Sequence, residues 1–334
     1  MSVRKLIGAL LLPVAIGVLV AACAGGSSVP AATAPAVTTT TAATAALVAT
    51  VTPAATVTPA VSPFPVTLKD NSGTEVTLTS APNRIVALAP SFAEVLFAIG
   101  AGDSVVAVDE NSDYPPAAAS LPKLSGFQPS VEGIAARQPD LVLIVFDPGG
   151  LQDALRGLHI PVLLLPAPDS LQGVYDQFDT LGRATGHRQE AASLVTAIWK
   201  GLETIQAGLA GVPRGPSVYH EVDNTYFSAG PGSFINDIYG VLWAQNIAAA
   251  TGQAFPQLSA EAIIAANPEV IILADEDAGE SPQTVAARPG WGQVSAVKQG
   301  RVYTIDADII SRPGPRLLQA AQELAAHLYP DIFR

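Results

Sequence analysis

The chain has 334 residues, a formal net charge of −12 and a single cysteine. Its body is long enough for one large domain or for two lobes of ordinary size. The negative charge argues against a surface for nucleic acid or anionic membranes, and one cysteine excludes a disulfide within one molecule.

The N-terminus has the order of a secretion signal. Arg4 and Lys5 precede an apolar run over 6–20, which is too short for a membrane span of about 20 residues. Small residues then lead to Cys23, and the letters VAAC at 20–23 resemble a bacterial lipobox. We therefore expect a signal peptide at 1–22 and a diacylglycerol on the Cys23 sulfur. A plain signal peptide with an incidental cysteine is the alternative.

The next segment, 23–62, is predicted to be the lipidated cysteine followed by a disordered tether. Residues 31–59 are almost entirely Ala, Thr, Val and Pro, without charge. Such a segment buries too little apolar surface to offset its ordering entropy. It would let a globular body move above the membrane to which Cys23 ties it.

Strands and helices are predicted to alternate along the body, which indicates an α/β architecture with parallel sheets. Residues 84–88 read as a strand that leads into a helix capped by Ser91, and 104–108 read as the next strand. Further strands are predicted at 161–165, 217–219 and 302–305, and further helices at 233–239 and 315–328.

An internal repeat divides the body. Segment 130–144 aligns without gaps with segment 259–273. In each copy a serine is predicted to cap a helix whose first turn holds a glutamate, Glu132 or Glu261, where the helix dipole favours it. The apolar run after each proline reads as a buried parallel strand. The same α–loop–β unit in both halves predicts two similar lobes with a cleft between them.

The segment 169–210 lies between the copies and has apolar residues at helical spacing. Gly182 and Gly186 punctuate the pattern, so it predicts either one long helix or two in succession. Because a helical connection is stiff, we expect it to join the lobes 63–168 and 211–334 rigidly.

Short motifs run in order from Pro65 to the end of the chain. They are residues 84–91 with Glu94, 99–103, 113–116, 139–142, 288–291, 297–298, 300–303 and 312–316. Together they resemble class III substrate-binding proteins, which serve ABC importers of ferric siderophores, haem and cobalamin. The resemblance implies two Rossmann-like α/β lobes with parallel sheets, joined by a long rigid helix, with the ligand cleft between the lobes.

The same resemblance implies an extracytoplasmic protein of the cell envelope, lipid-anchored to the membrane. It would capture a ferric siderophore, haem or cobalamin-type ligand, with ferric siderophores first by family frequency. Its partners would be an ABC permease and its ATPase. We expect a monomer that is not an enzyme, has no nucleic-acid partner and needs no cofactor, although the ligand itself can contain iron or cobalt.

Two glutamates receive a docking role from the resemblance. In cobalamin-binding members, one Glu from each lobe forms salt bridges with arginines of the permease, and Glu132 and Glu261 match those positions. The alternative is that each only stabilises the N-terminus of its own helix.

Ligand pockets of the family are lined by aromatic side chains and an occasional arginine. Any one matching aromatic could equally belong to the core, and the arginine either pairs with an anionic ligand group or makes a surface salt bridge. Cobalamin binders of the family tend to have Trp where this chain has Phe, which weakens the prediction that the ligand is cobalamin. The matching positions are Tyr114, Phe127, Phe146, Tyr226, Phe227, Phe255 and Arg312.

Other chemistries have weaker sequence support. The histidines are scattered, and only His220, Glu221 and Asp223 lie close together, where neighbours on a strand point to opposite faces. A Zn- or Mn-binding importer component is one alternative, and haem held by Tyr114, Tyr226 or His220 is another. No Gly-x-Ser-x-Gly turn, Walker A loop or dinucleotide fingerprint is present. A surface adhesion lipoprotein would explain the anchor and tether but not the paired Glu helices.

Overall fold

Strands and helices alternate in the computed structural model, which describes residues 63–333. The predicted signal peptide, Cys23 and the tether lie outside the described residues, so they stay predictions. None of the helices in the described range is both long and apolar enough to cross a membrane.

The strands form two parallel sheets and one antiparallel hairpin. The hairpin pairs β1 with β2, and every pairing within the two larger sheets is parallel. The strands are β1 Val66–Lys69, β2 Glu75–Leu78, β3 Ile85–Ala87, β4 Val105–Asp109, β5 Lys123–Leu124, β6 Leu141–Ile144, β7 Val162–Leu164, β8 Ser217–Glu221, β9 Gln245–Asn246, β10 Val270–Leu273 and β11 Val302–Thr304.

The helices connect these strands, with short 3-10 turns between several of them. They are α1 Pro90–Ala98, α2 Pro116–Ala119, α3 Val131–Ala135, α4 Leu151–Gly157, α5 Leu171–Thr185, α6 Arg188–Gly208, α7 Phe234–Val241, α8 Ala260–Ala266, α9 Pro282–Ala287, α10 Ser295–Lys298, α11 Ala307–Ser311 and α12 Leu317–Leu328.

The two parallel sheets share one topology. Their strand orders are β5-β4-β3-β6-β7 and β9-β8-β10-β11. In each sheet the first strand in the chain is an inner strand. The chain then adds strands on one side of it before it crosses over and adds strands on the other side. This reversal creates a crevice at the carboxyl ends of β3 and β6 in the N-terminal lobe, and of β8 and β10 in the C-terminal lobe. The predicted two-lobed α/β fold is confirmed.

The repeat is also visible as structure. Ser130 caps α3 by accepting a hydrogen bond from the Gly133 amide, and Ser259 caps α8 by accepting one from the Ala262 amide. The strands that follow, β6 and β10, have the same position beside the first strand of their sheets. One local prediction was wrong: α1 begins at Pro90 and Ser91 is not its cap. Proline is common at the first helical position, where the missing N–H costs nothing, so the helix begins at Pro90 with Ala89 as its cap, two residues before Ser91.

The connection between the lobes consists of two helices, α5 and α6. Gly186 ends α5 in a left-handed conformation with φ of 80°, which a residue with a side chain rarely adopts. At Gly182 an added Cβ would lie 2.7 Å from the Cβ of Ala191, so the absence of a side chain lets α5 pack closely on α6.

Both lobes are tied to this connection by one apolar core. The helix α5 contacts α1 in the N-terminal lobe and α7 in the C-terminal lobe. A single cluster of buried side chains includes Leu143 of β6, Phe178 of α5 and Ile272 of β10. Because close-packed interiors deform little, this arrangement favours a rigid relation between the lobes.

Candidate ligand-binding cleft

The candidate cleft lies at the carboxyl edges of the two sheets. Loops that follow inner strands of open α/β sheets form the usual ligand sites of such folds. Direct side-chain contacts join the two edges: Arg312, downstream of β11, lies 2.7 Å from the Asp113 carboxylate, downstream of β4. The segments that follow β4 and β11 are therefore in direct contact.

Aromatic side chains follow three strands of the N-terminal lobe. Phe127 lies after β5 and Phe146 after β6, and their ring centroids are 5.9 Å apart at an angle of 47°. Both are half-buried. Tyr114, after β4, is 43% exposed. The structure thus brings Phe127 and Phe146 together beside the crevice of this lobe.

The C-terminal lobe contributes a second aromatic group. Tyr226, after β8, stacks on Trp291 with ring centroids 5.8 Å apart. The Arg288 guanidinium lies 5.4 Å from the Tyr226 ring and 4.7 Å from the Trp291 ring, within the range of a cation–π contact. Phe227 and Phe255 are also half-buried, and both pack partly against the main core.

Arg312 is bound to protein groups from both lobes. Its Nη1 lies 3.1 Å from the Glu94 Oε1, and its Nη2 donates to the Asn111 carbonyl at 3.1 Å and lies 2.5 Å from Asp308. Its side chain is 10% exposed. Burial acts to lower the pKa of Arg312, but its acidic partners raise it above the ordinary value. The surface salt bridge considered from sequence does not describe this buried arrangement, and contact with a ligand stays a prediction.

A buried ion-pair group stands at the end of β8. The Glu221 carboxylate is fully buried and accepts two hydrogen bonds from Arg288, at 2.7 and 2.5 Å. Arg288 also donates to Glu280 at 2.8 Å. Burial raises the pKa of Glu221, while Arg288 opposes that increase.

Asp275 follows β10, the inner strand beside β8 in the sheet of the C-terminal lobe. It is 4% exposed, and neither carboxylate oxygen has a hydrogen-bond partner among the described residues. Burial and the neighbouring charges of Glu221 and Glu280 raise its pKa to about 7, although Arg288 acts in the other direction. An ionised carboxylate without partners is costly in such a place, so burial favours the protonated form of Asp275.

His220 is turned away from the cleft. It is fully buried, its Nδ1 lies 2.8 Å from the Tyr239 hydroxyl, and burial lowers its pKa to about 4. Its neighbour Glu221 pairs with Arg288, as expected for adjacent strand residues on opposite faces. Within 63–333 no group of His, Cys, Asp or Glu side chains is arranged to hold a metal ion.

Glu132 and Glu261 have matching surroundings. Both are exposed in the first turn of a serine-capped helix. In each case the residue's own backbone amide and the cap serine lower the pKa of the carboxyl group. Both carboxylates are therefore ionised at neutral pH and accessible to a partner.

The sequence does not single out three residues of the candidate site, Glu94, Asp275 and Arg288. The position of Asp275 could have indicated a site, because it directly follows β10, the buried strand beside β8 in the sheet of the C-terminal lobe. Glu94 and Arg288 stand in the short motifs of the resemblance, but their partners are distant in sequence.

Comparison with known proteins gives consistent matches. A family model described as a periplasmic binding protein matches residues 85–309. An uncharacterized ABC transporter substrate-binding lipoprotein of Bacillus subtilis, YvrC, is 35% identical over 279 residues, which are 81% of this chain and 88% of that protein. A cobalamin-binding protein of Halobacterium salinarum is 32% identical over 275 residues, covering 78% of this chain and 73% of that protein.

A solved structure has the same overall arrangement. The periplasmic haem-binding protein RhuT from Roseiflexus, in its apo form, superimposes with a TM-score of 0.67 at 25% identity. The superposition covers 74% of this chain and 98% of that protein.

Proposed function

The chain belongs to the periplasmic binding protein family, and we propose that it is the lipid-anchored substrate-binding component of an ABC importer with a corrinoid as its ligand. Its relatives are transport binding proteins, so it is not an enzyme, as predicted. The proposal rests chiefly on the cleft between the lobes, where aromatic side chains stand at both sheet edges.

A corrinoid is preferred over the other ligands for two reasons. Relatives with up to 32% identity are cobalamin-binding proteins, whereas family frequency alone favours ferric siderophores. The arginines near the cleft are also poorly suited to bind an anion. Among the described residues near the cleft, Arg288, Arg312 and Arg316 all have carboxylate partners.

The acidic groups at the cleft point in the same direction. Asp113 is 63% exposed at its side chain, although it pairs with Arg312, and Asp275 is buried with no hydrogen-bond partner within 63–333. Carboxylates favour ligand groups that donate hydrogen bonds and disfavour other carboxylates. Corrin side-chain amides are donors, while haem propionates and catecholate chelates bring negative charge. Phe127 and Phe146 would supply apolar contact for a large ring system.

Isothermal titration calorimetry with cyanocobalamin, haemin, an uncharged ferric trihydroxamate and Zn²⁺ tests this proposal. We expect sub-micromolar binding of cyanocobalamin and weaker or no binding of haemin. Tighter binding of haemin would contradict the electrostatic argument. A response to Zn²⁺ alone would favour the metal-importer alternative.

Docking on a permease is proposed for Glu132 and Glu261. Both are exposed, ionised and carried by equivalent helices, one in each lobe. Charge complementarity of this kind fixes orientation and speeds association. Glu132→Lys with Glu261→Lys should abolish uptake of the ligand in cells while calorimetric binding by the purified protein is unchanged. Loss of binding in vitro would count against a pure docking role.

Lipidation of Cys23 is proposed from the lipobox-like sequence, and a lipoprotein among the relatives supports it. Two or more acyl chains are needed for stable anchoring. Cys23→Ser should move the protein from the membrane fraction to the soluble fraction, with loss of the acyl mass by mass spectrometry. An unchanged membrane fraction would exclude this anchor.

A further inference from the structure

A buried glutamate of the N-terminal lobe holds two arginines of the C-terminal lobe. Glu94, in α1, is fully buried at its side chain. Its carboxylate accepts from the Nε of Arg316 at 2.9 Å and from the Nη2 of Arg316 at 2.6 Å. It also accepts from the Nη1 of Arg312 at 3.1 Å. Paired contacts between a guanidinium and a carboxylate are directional as well as strong.

Further contacts extend this group to the rim of the cleft. Arg312 also bridges Asp113 of the N-terminal lobe and Asp308 of the C-terminal lobe. The Arg316 guanidinium lies 4.4 Å from the centroid of the Tyr114 ring. We refer to Glu94, Asp113, Asp308, Arg312 and Arg316 as the interlobe ion-pair cluster.

The backbone is shaped to allow this approach. Gly314 lies between the two arginines, and a Cβ added there would be 3.2 Å from the Glu94 Oε2. A side chain at this position would therefore crowd the carboxylate. The small residue brings the segment between α11 and α12 close to α1.

The interlobe ion-pair cluster contains all the salt bridges that join the two lobes within the part of the chain described by the structure. Other buried ion pairs lie inside one lobe. Asp70 and Arg156 are both in the N-terminal lobe, and Glu221 and Arg288 are both in the C-terminal lobe. These pairs stabilise a lobe but have no direct effect on the distance between lobes.

We propose that Glu94 is a positioning residue of the cleft, which sets the separation of the two lobes in the empty protein and holds Tyr114 at the cleft rim through Arg316. Removing its charge leaves two buried guanidinium groups that lose their shared acceptor. The arginines then turn toward water or toward Asp113 and Asp308, and Arg312 with Asp113 is the one salt bridge of the cluster that still joins the lobes. The helices α5 and α6 remain as the connection, so the protein stays folded with a less defined cleft.

The separation of the lobes can be measured by double electron–electron resonance without any ligand. The sequence contains only one cysteine, Cys23, so the full chain with Cys23→Ser carries no competing thiol. Ala136→Cys in the N-terminal lobe and Ala265→Cys in the C-terminal lobe introduce exposed labelling positions. Glu94→Gln in this background should broaden the distribution of distances between the two labels and displace its maximum.

A matched control separates positioning from loss of stability. Glu221→Gln also removes a fully buried carboxylate that has two bonds to one arginine, but within one lobe. We expect both variants to lower the unfolding temperature and only Glu94→Gln to change the distance distribution. Should Glu94→Gln fail to fold, Arg316→Gln removes the two-bond contact with Glu94 from the other lobe and should change the distribution in the same direction.

Two results would overturn the proposal. One is an unchanged distance distribution in Glu94→Gln or in its substitute Arg316→Gln. The other is an equal change in the Glu221→Gln control. Because no ligand enters the measurement, neither result bears on the identity of the imported compound.

Discussion

Replacing Asp275 by asparagine should stabilise the protein at alkaline pH and have little effect in acid. The carboxylate is buried without a hydrogen-bond partner among the described residues. Burial, with the charges of Glu221 and Glu280, raises its pKa to about 7, from an ordinary value of 3.8. Asparagine has nearly the shape of the protonated acid and cannot ionise.

The sign and size of the effect follow from proton linkage. Between pH 4 and 7 the folded protein binds a proton at Asp275 that the unfolded chain has released, so this group makes stability fall as the pH rises. The loss is complete above pH 7 or so and amounts to about 4 kcal/mol at most, because each pKa unit corresponds to about 1.4 kcal/mol. In a protein of this size that is an increase of Tm on the order of 10 °C.

Thermal unfolding followed by circular dichroism at pH 4 and pH 8 measures this difference. We expect Asp275→Asn to raise Tm at pH 8 and to leave it nearly unchanged at pH 4. Asp277→Asn, at an exposed position in the same turn, is the control and should show no such pH dependence. An equal change of Tm at both pH values would refute the assignment of a raised pKa to Asp275.

Three further predictions concern packing, binding and acid stability. Gly182→Ala should cost about 1–3 kcal/mol by overpacking the contact between α5 and α6, whereas Gly240→Ala, with open space around it, should be neutral or stabilising in the same denaturant titration. Phe127→Ala should weaken cyanocobalamin binding about tenfold by calorimetry, and Leu158→Ala, an exposed apolar residue outside the cleft, should not. Burial lowers the pKa of His220 to about 4, so its contribution to stability is complete above pH 6.5 and is lost as the pH falls toward 4. His220→Gln should therefore make the decrease of Tm in acid less steep. An unchanged dependence of Tm on pH would contradict a buried neutral histidine.

The elements that the sequence predicted well have local causes. A serine cap and its helix involve residues three apart, as at Ser130 and Ser259, so a short pattern contains the whole interaction. Strands buried on both faces appear as continuous apolar runs, which is why β6 and β10 were recognised. The sequence did not decide between one long helix and the two helices α5 and α6. A glycine within a helical pattern does not reveal whether it adopts a left-handed conformation, as Gly186 does.

The amino-acid sequence by itself determined that two like α/β lobes form and that each presents a glutamate on a capped helix, since caps and apolar periods act over a few residues. Only the tertiary structure decided which partners the charged cleft residues take. Arg312 meets Glu94 across 218 positions of sequence, and the pKa of Asp275 depends on carboxylates brought near it by the packing of β8 beside β10. Electrostatic interactions depend on distance and burial, and both are set when the carboxyl edges of the two sheets come together.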